Sequence, residues 1–371
     1  MTDKQDKLIP KLRFPEFKND GEWEQKFVKD ICSIETGKSN TQDQDVNGLY
    51  PFFIRSENPV KSSKYLYDCE AVITIGDGKI GQVFHYINGK FDLHQRCYKM
   101  SDFQGVDGKF FFYFFSSHFY ERAMRMSAKA TVDSVRLEMI SDMPIYLPSL
   151  KEQKRIAEFL TSLDDLLTGT KSILEQLKVH KKGLMQKLFP ASGRVLPEIR
   201  LNGFEHAGEW RVRKLKEIII VNSGKDYKHL RRGEVPVYGT GGYMTSVDER
   251  LSDVDAVGIG RKGTIDKPIF LKAPFWTVDT LFFLTTSREV DIHFLFYLML
   301  QIPWKKYAEQ TGVPSLSKNS IDELEVCIPG IPEQLEIASI CHSCDSLLNE
   351  YEEKMRLLCK YKQGLLQMLM C

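Results

Sequence analysis

Along most of the chain the apolar residues come in short runs broken by Gly, Pro, Asn and Asp. YPFFIRSENP, EAVITIGDGKIGQVFHY, DAVGIGRKGT and PIFLKAPFWTVDTLFFL are examples, rich in aromatic and β-branched residues. Such runs predict the strands and tight turns of mostly β domains. Two stretches, Phe110–Phe115 and Phe294–Leu300, are continuously apolar and predict a buried helix each. Two long segments, from Lys151 to Phe189 and from Glu333 onward, carry a helical period, with Gly169, Gly183 and Gly364 as their only glycines and no proline. In the first, heptad positions a are Ile156, Leu163, Thr170, Leu177 and Leu184, and d are Phe159, Leu166, Ile173 and His180. Leu160, Leu167, Leu174 and Leu188 add an apolar e row. In the second, a reads Ile337, Cys344, Tyr351, Leu358 and Leu365, and d reads Ile340, Leu347, Lys354, Tyr361 and Met368. Five heptads of this kind predict an a/d seam between two long helices. Partner-helix packing is assigned to Ile156, Leu163, Leu177, Leu184, Ile337, Leu347, Leu358 and Leu365. At 1.5 Å per residue each helix would be about 57 Å long, and neither could bury its stripe alone.

The two helical segments belong to a repeat. A constant offset of 187 pairs Pro10 with Pro197, Arg13 with Arg200, and Gly21, Glu22 and Trp23 with Gly208, Glu209 and Trp210. The same offset pairs Gly37 and Lys38 with Gly224 and Lys225. Farther on the offset is 181. There Pro148, Glu152 and Gln153 match Pro329, Glu333 and Gln334, Asp164 matches Asp345, and Gly183 and Leu184 match Gly364 and Leu365. The chain is thus two copies of one unit, roughly 1–190 and 191–371, with similar ends and dissimilar middles. The repeat predicts a globular domain at 1–148, a helix at 149–190, a second domain at 191–329 and a second helix at 330–371. The Pro-x-x-x-Glu-Gln pattern fits the start of each helix.

Composition narrows the class. With 42% hydrophobic and 27% charged residues, global disorder is excluded. A net charge of +1 excludes a uniformly basic nucleic-acid coat and an acidic tail protein. The total hides one local patch. Residues 211–232 hold eight basic and two acidic residues: Arg211, Arg213, Lys214, Lys216, Lys225, Lys228, Arg231 and Arg232 against Glu217 and Asp226. A solvated face and a phosphate-tracking surface both explain such a run. Eight cysteines scattered over 371 residues do not form a secreted disulfide framework. No apolar run reaches a membrane span, and Met1–Lys11 lacks a signal-peptide core, so the expected location is the cytoplasm with no membrane partner.

The short motifs point away from catalysis. Gly76–Gly81 and Gly258–Gly263 both spell G-x-G-x-x-G, but strand and turn residues follow where a dinucleotide site needs a helix. They read as tight turns, or as exposed loops whose Lys79, Arg261 and Lys262 could meet phosphate. No P-loop, H-E-x-x-H, G-x-S-x-G or Asn/Asp-Pro-Pro-aromatic sequence occurs. Cys341 and Cys344 fall on heptad positions e and a, which favours packing over zinc, and His85 and His94 read as structural. The expectation is a chain that is not an enzyme, with no catalytic residue, metal or cofactor of its own.

The paired GEW segments and the helical patterns resemble a known family. KLRFPEF (Lys11–Phe17), LPSLKEQKRIAEFL (Leu147–Leu160) and KKGLMQKLF (Lys181–Phe189) are similar to the specificity subunit of type I restriction-modification systems. The two-unit plan covers essentially the whole chain. The resemblance implies an α+β fold: two mostly β target-recognition domains in tandem pseudo-repeat, separated by two long antiparallel helices forming a coiled coil. Each domain would read one half of a split, asymmetric site on double-stranded DNA, with the helices as a ruler. It also implies partners: two methyltransferase subunits binding S-adenosylmethionine, and restriction subunits that use ATP and Mg for translocation and cleavage. The second helix departs from the pattern, ending QMLMC where the first ends QKLF.

Candidate DNA-binding residues follow the repeat, charge and loop context. In the first domain they are Lys38, Ser39, Arg55, Lys61, Lys64, Lys79, Lys129 and Ser134. In the second they are Lys225, Lys228, Arg231, Arg232, Thr240, Arg261, Lys262, Ser315 and Lys318. The bland alternative for each is an exposed loop residue that touches nothing. Two other readings of the whole chain stand beside this one. A self-contained DNA methyltransferase lacks its motifs here. A coiled-coil assembly scaffold without DNA contact explains the helices but not two divergent domains.

Overall fold

Residues 8–127, 134–191, 193–309 and 312–370 are described by the structure, a computed structural model. They fall into two units that do not follow chain order: Met1–Lys171 with Lys354–Cys371, and Ser172–Glu353.

The first unit contains β1 (Glu24–Phe27), β2 (Ser33–Thr36), β3 (Tyr50–Phe53), β4 (Val60–Ser62), β5 (Tyr67–Ile75), β6 (Phe84–Leu93) and β7 (Cys97–Ser101). Helices α1 (Gly108–Ser127) and α2 (Leu137–Ser141) follow, then β8 (Pro144–Leu147) and the first half of α3 (Leu150–Leu188). Six strands form one sheet in the order β2-β7-β5-β6-β3-β4, and β1 pairs antiparallel with β8. The sheet curls until the continuation of β2 bridges the end of β6, Ser39 against His94.

The second unit repeats this plan. Its elements are β9 (Arg211–Lys214), α4 (Leu215–Ile218), β10 (Ile219–Ser223), β11 (Arg232–Gly239), β12 (Gly242–Val247), β13 (Ala256–Gly260), β14 (Ile269–Leu271), β15 (Trp276–Thr277) and β16 (Leu281–Thr286). Then come α5 (Ile292–Gln301), α6 (Lys318–Asp322), β17 (Glu325–Ile328) and α7 (Ile331–Leu369). Here the sheet is divided into β10-β16-β13-β14 and β12-β11-β15. The long β6 of the first unit corresponds to two short strands, β14 and β15, with Pro274 between them. A proline has no N–H for a ladder and ends regular pairing.

The aromatic runs form the predicted helices. Asp107 and Asp291 cap α1 and α5, their carboxylates accepting from the amides of Lys109 and Phe110, and of His293 and Phe294. The repeated tryptophans pack edge-on against the first turns: Trp23 against Phe110 and Trp210 against Phe294, at 5.9 and 6.1 Å between centroids. Trp210 donates its indole N–H to Glu333 at 3.3 Å, whereas that of Trp23 is buried without a partner among the described residues.

The Glu-Gln pair at each long-helix start is buried and fully used. Glu152 takes two hydrogen bonds of 2.7 Å from Arg13, and Glu333 takes bonds of 2.9 and 2.8 Å from Arg200. Gln153 accepts from the backbone of Asp107 and donates to Pro148, and Gln334 does the same with Asp291 and Pro329. One dipeptide therefore ties the N-terminal segment, the capped aromatic helix and the long helix together in each unit.

Both long helices have 39 residues, about 58 Å at 1.5 Å per residue. Each gives one half to each unit. In the first unit the start of α3 runs antiparallel to the end of α7, with Ile156, Leu160, Leu365 and Leu369 in one core. In the second, Met185 and Leu188 of α3 meet Ile337, Ala338 and Cys341 of α7. A polar lock recurs beside each core. Asp164 takes bonds from Lys362 and Tyr113, and Asp345 takes bonds from Lys181 and Tyr297. Burial and the carboxylate both push the two phenols up.

The seam is not the predicted a/d pair of rows. Positions a and e are the covered ones: Ile156, Leu160, Thr170, Leu174 and Leu188 in α3, and Ile337, Cys341, Leu365 and Leu369 in α7 are buried. Leu163, Leu177, Leu184 and Leu358, also at a, are half-buried. At position d, Phe159 and Ile340 near the helix starts are half-buried and pack against the cores, while the positions beyond them face outward. Leu347, assigned to helix packing, is 39% exposed, and Leu166, Ile173, Tyr361 and Met368 are exposed with it. Both choices have a mean period of 3.5 residues, so spacing alone does not separate them. Among the described residues no helix is long and apolar enough to cross a membrane.

This packing can be tested at two positions. Arg200→Ala leaves a buried carboxylate at Glu333 without its counter-charge, and should cost about 3 kcal/mol. Denaturant unfolding that shifts by less than about 0.5 kcal/mol would show that the pair does not anchor the helix. At Gly169, inside α3, an added Cβ meets nothing within 4 Å. Gly169→Ala should therefore raise stability by roughly 0.5–1 kcal/mol, read in the same titration.

Candidate nucleic-acid interface

In each unit the ends of two strands and the start of a third lie side by side. Thr36 pairs with Tyr98 and Ile75 with Cys97, and in the second unit Ser223 pairs with Phe282 and Gly260 with Leu281. The loops that leave these positions form the candidate surface. The repeated Gly-Lys step begins it. A Cβ on Gly37 would lie 2.2 Å from the Leu93 carbonyl oxygen, and one on Gly224 2.0 Å from that of Val278. Only glycine lets the chain pass so close. Beyond it, Lys38 donates its N–H to Leu93 and Lys225 to Thr277.

The same backbone bonds join the other loops. Gly76 donates to Arg96 at 2.7 Å, and Arg261 to Thr280 at 2.8 Å. Val135 then donates to Gly76, and Leu316 to Arg261. Asp77 bridges Ser134 as Lys262 bridges Ser315. These bonds make Gly76 the equivalent of Arg261, an offset of 185. The two G-x-G-x-x-G hexapeptides, 182 apart, are therefore not equivalent. Gly258 and Gly260 lie inside β13, and no helix opens after either hexapeptide.

In the first unit the candidate cations mostly hold carboxylates. Arg55 and Arg96 converge on Asp77 at 3.0 and 2.7 Å. Lys79 pairs with Glu57 at 2.6 Å and Lys64 with Asp43 at 2.9 Å. Burial alone would push the Asp77 carboxyl up, but hydrogen bonds from Arg96 and Arg55 hold it below the usual range. Asp43 is lowered by the Asn40 amide and Lys64, and Glu57 by Lys79. Lys38 and Lys61 are exposed, and Ser134 is half-buried. Ser39 is a correction: it is buried, donates to Asp92 at 2.7 Å and serves the sheet closure. Lys129 lies outside the described residues. His94 is buried and accepts from the Arg96 amide, which makes it a structural support for that loop.

The second unit is more open. Lys225, Lys228, Arg231, Arg232, Lys262 and Lys318 are exposed and have no carboxylate ion pair among the described residues. Thr240 sits in the β11–β12 turn, the Arg261 guanidinium lies 5.7 Å from the Phe282 ring centre, and Lys318 opens α6, capped by Ser317. The basic window 211–232 is split. Lys214 and Lys216 clamp Glu323 at 2.6 and 2.5 Å and hold its carboxyl near about 2. Those two lysines sit beside the β9–β17 pair, away from the loop end, so only the part from Lys225 onward joins the candidate surface.

Asp77, Arg96 and Thr280 belong to the surface and were not among the candidates. Arg96 and Thr280 lie on the 93–97 and 277–281 loops, which the glycine approach sets beside the Gly-Lys step, and Asp77 lies on the loop after β5. Exposed ion pairs of this kind contribute only roughly 0–1 kcal/mol to stability. Elsewhere, burial pushes the Cys341 thiol up to about 12, in keeping with its place in the helix seam.

Known proteins share this plan. The model of the type I restriction modification DNA specificity domain matches residues 20–179 and again 207–357. The EcoDI specificity subunit of Escherichia coli is 25% identical over 85% of this chain and 80% of its own length. The MjaVIII specificity subunit of Methanocaldococcus jannaschii is 23% identical over 97% and 93%. The fold is that of the S subunit of a type I restriction-modification system from M. genitalium, with a TM-score of 0.72 at 20% identity over 98% and 99% of the two chains. With the family model matched twice and most of its length covered, the chain belongs to the type I restriction-modification DNA specificity family.

Proposed function

We propose that the chain reads a two-part DNA site, one part per unit, and supplies that specificity to partner subunits without chemistry of its own. One observation carries the reading. The same loop-end frame is built twice, held by the same backbone bonds, and different side chains stand on it. A shared frame fixes how each unit approaches a duplex, and the differing side chains make the two parts unlike. Phosphate contacts position such a domain, and base contacts specify.

The exposed d row supports the partners. Leu166 and Tyr361 in the first unit, and Ile173 and Leu347 in the second, are apolar groups that the helix pair leaves uncovered. Methyltransferase subunits docking there would carry S-adenosylmethionine, and restriction subunits would bring ATP and Mg. The place of action is the cytoplasm, where the DNA is.

Three measurements test this. Methylated adenines mapped in a host with and without the chain, beside its methyltransferase, should reveal a motif of two defined parts around an unspecified gap. A contiguous motif would overturn the two-reader assignment. Lys228→Ala with Arg231→Ala and Arg232→Ala should weaken binding evenly across sequences. It should also lower the salt slope by about 0.9 for each phosphate no longer neutralised. An unchanged slope removes these three from the interface. Leu166→Asp with Ile173→Asp should leave the chain folded but abolish co-purification with the methyltransferase; retained co-purification shows that the d row is not the dock.

A further inference from the structure

The backbone frame makes three positions in each unit strictly equivalent. His94 donates to Phe53 at 3.0 Å and Val278 to Tyr238 at 3.0 Å, so the residue two steps on is Arg55 in one unit and Thr240 in the other. Gly76 donating to Arg96 matches Arg261 donating to Thr280, and the bridges of Asp77 to Ser134 and Lys262 to Ser315 complete the set. The triplets are thus Arg55, Asp77 and Arg96 against Thr240, Lys262 and Thr280. Each has a formal charge of +1, so the triplets differ in shape and donor geometry rather than in net charge. Their hydrogen-bonding geometries differ: two planar guanidinium forks on a carboxylate in one unit, two hydroxyls and a single ammonium in the other.

We propose that this triplet is the specificity-determining element of each unit, and that in the first unit it reads guanine. The inference rests on the DNA-reading function above. Asp77 binds only one terminal nitrogen of each arginine: Arg55 Nη1 at 3.0 and 3.2 Å and Arg96 Nη1 at 2.7 Å. Both arginines remain largely exposed, at 46% and 60% of their side chains. No other hydrogen bond of either guanidinium exists among the described residues, so an edge bearing Nε and the second Nη is free on each. A guanidinium with Nη1 held by a carboxylate and its Nε/Nη2 edge free is placed for bidentate donation to O6 and N7 of guanine. The carboxylate contributes by holding both forks and by removing one of their two charges. The second unit's triplet, Thr240, Lys262 and Thr280, carries no guanidinium fork and reads different bases.

The test uses the chain assembled with its methyltransferase subunit. First the wild-type methylated motif is mapped. Then binding is measured on duplexes altered one base pair at a time in either half. Arg96→Ala should lose roughly 10- to 100-fold discrimination at one G·C pair of one half-site, leaving the other half and the gap unaltered. Arg96→Lys, which keeps the charge but not the fork, should lose the same discrimination. A wild-type chain that directs no two-part motif overturns the DNA-reading function and this inference with it. A wild-type two-part motif that both variants read unchanged overturns this inference alone. Uniform weakening on every duplex with a smaller salt slope assigns Arg96 to phosphate and also overturns it. So does a lowered melting temperature with discrimination intact, which makes the triplet a loop lock only.

Discussion

The buried glutamate and glutamine at the head of each long helix hold the architecture together. A carboxylate removed from water is costly unless it is matched by charge and hydrogen bonds. Glu152 and Glu333 are matched by an arginine some 130 residues away in sequence, so the N-terminal segment of each repeat must lie against the helix start. The neighbouring glutamine fixes the capped aromatic helix to the same point. With these contacts made, the tryptophan, the aromatic helix and the a/e seam can close one core. The rest of each unit is built outward from that point toward the variable loops.

Much of this was legible in the residues. The repeat marks Arg13 with Arg200 and Glu152 with Glu333, and the aromatic runs mark α1 and α5. What failed had physical causes. Two apolar rows, d and e, flank the a positions, and the period is the same whichever is chosen. Ser39 reads as a loop hydroxyl, and only the curl of the sheet buries it on Asp92. Arg96 and Thr280 differ in charge and shape, and their equivalence lies in backbone bonds. Small insertions shift the offset from 187 to 181 between the ends, which hides that register.

The two loop ends differ in how they carry charge. In the first, cations are engaged with carboxylates on neighbouring loops. In the second, Lys225, Lys228, Arg231, Arg232, Lys262 and Lys318 have no carboxylate ion pair among the described residues, and the Lys262–Ser315 backbone bridge joins the loops. A near-neutral chain can thus present two chemically distinct faces on one scaffold. Total charge says little about such a protein; the placement of each carboxylate says more.

The sharing of the long helices has a consequence for synthesis. The second unit is contiguous, residues 172–353, and can close as soon as that stretch leaves the ribosome. The first unit is begun earlier but needs Leu365 and Leu369 for its core, and the Met368 carbonyl for the Leu12 amide. The domain made first is therefore finished last. Until residues 354–370 appear, the stripe of Ile156, Leu160 and Leu163 on the first half of α3 lacks the part of its cover that α7 gives. The nascent chain then exposes an apolar helix face that must be kept from the wrong partner.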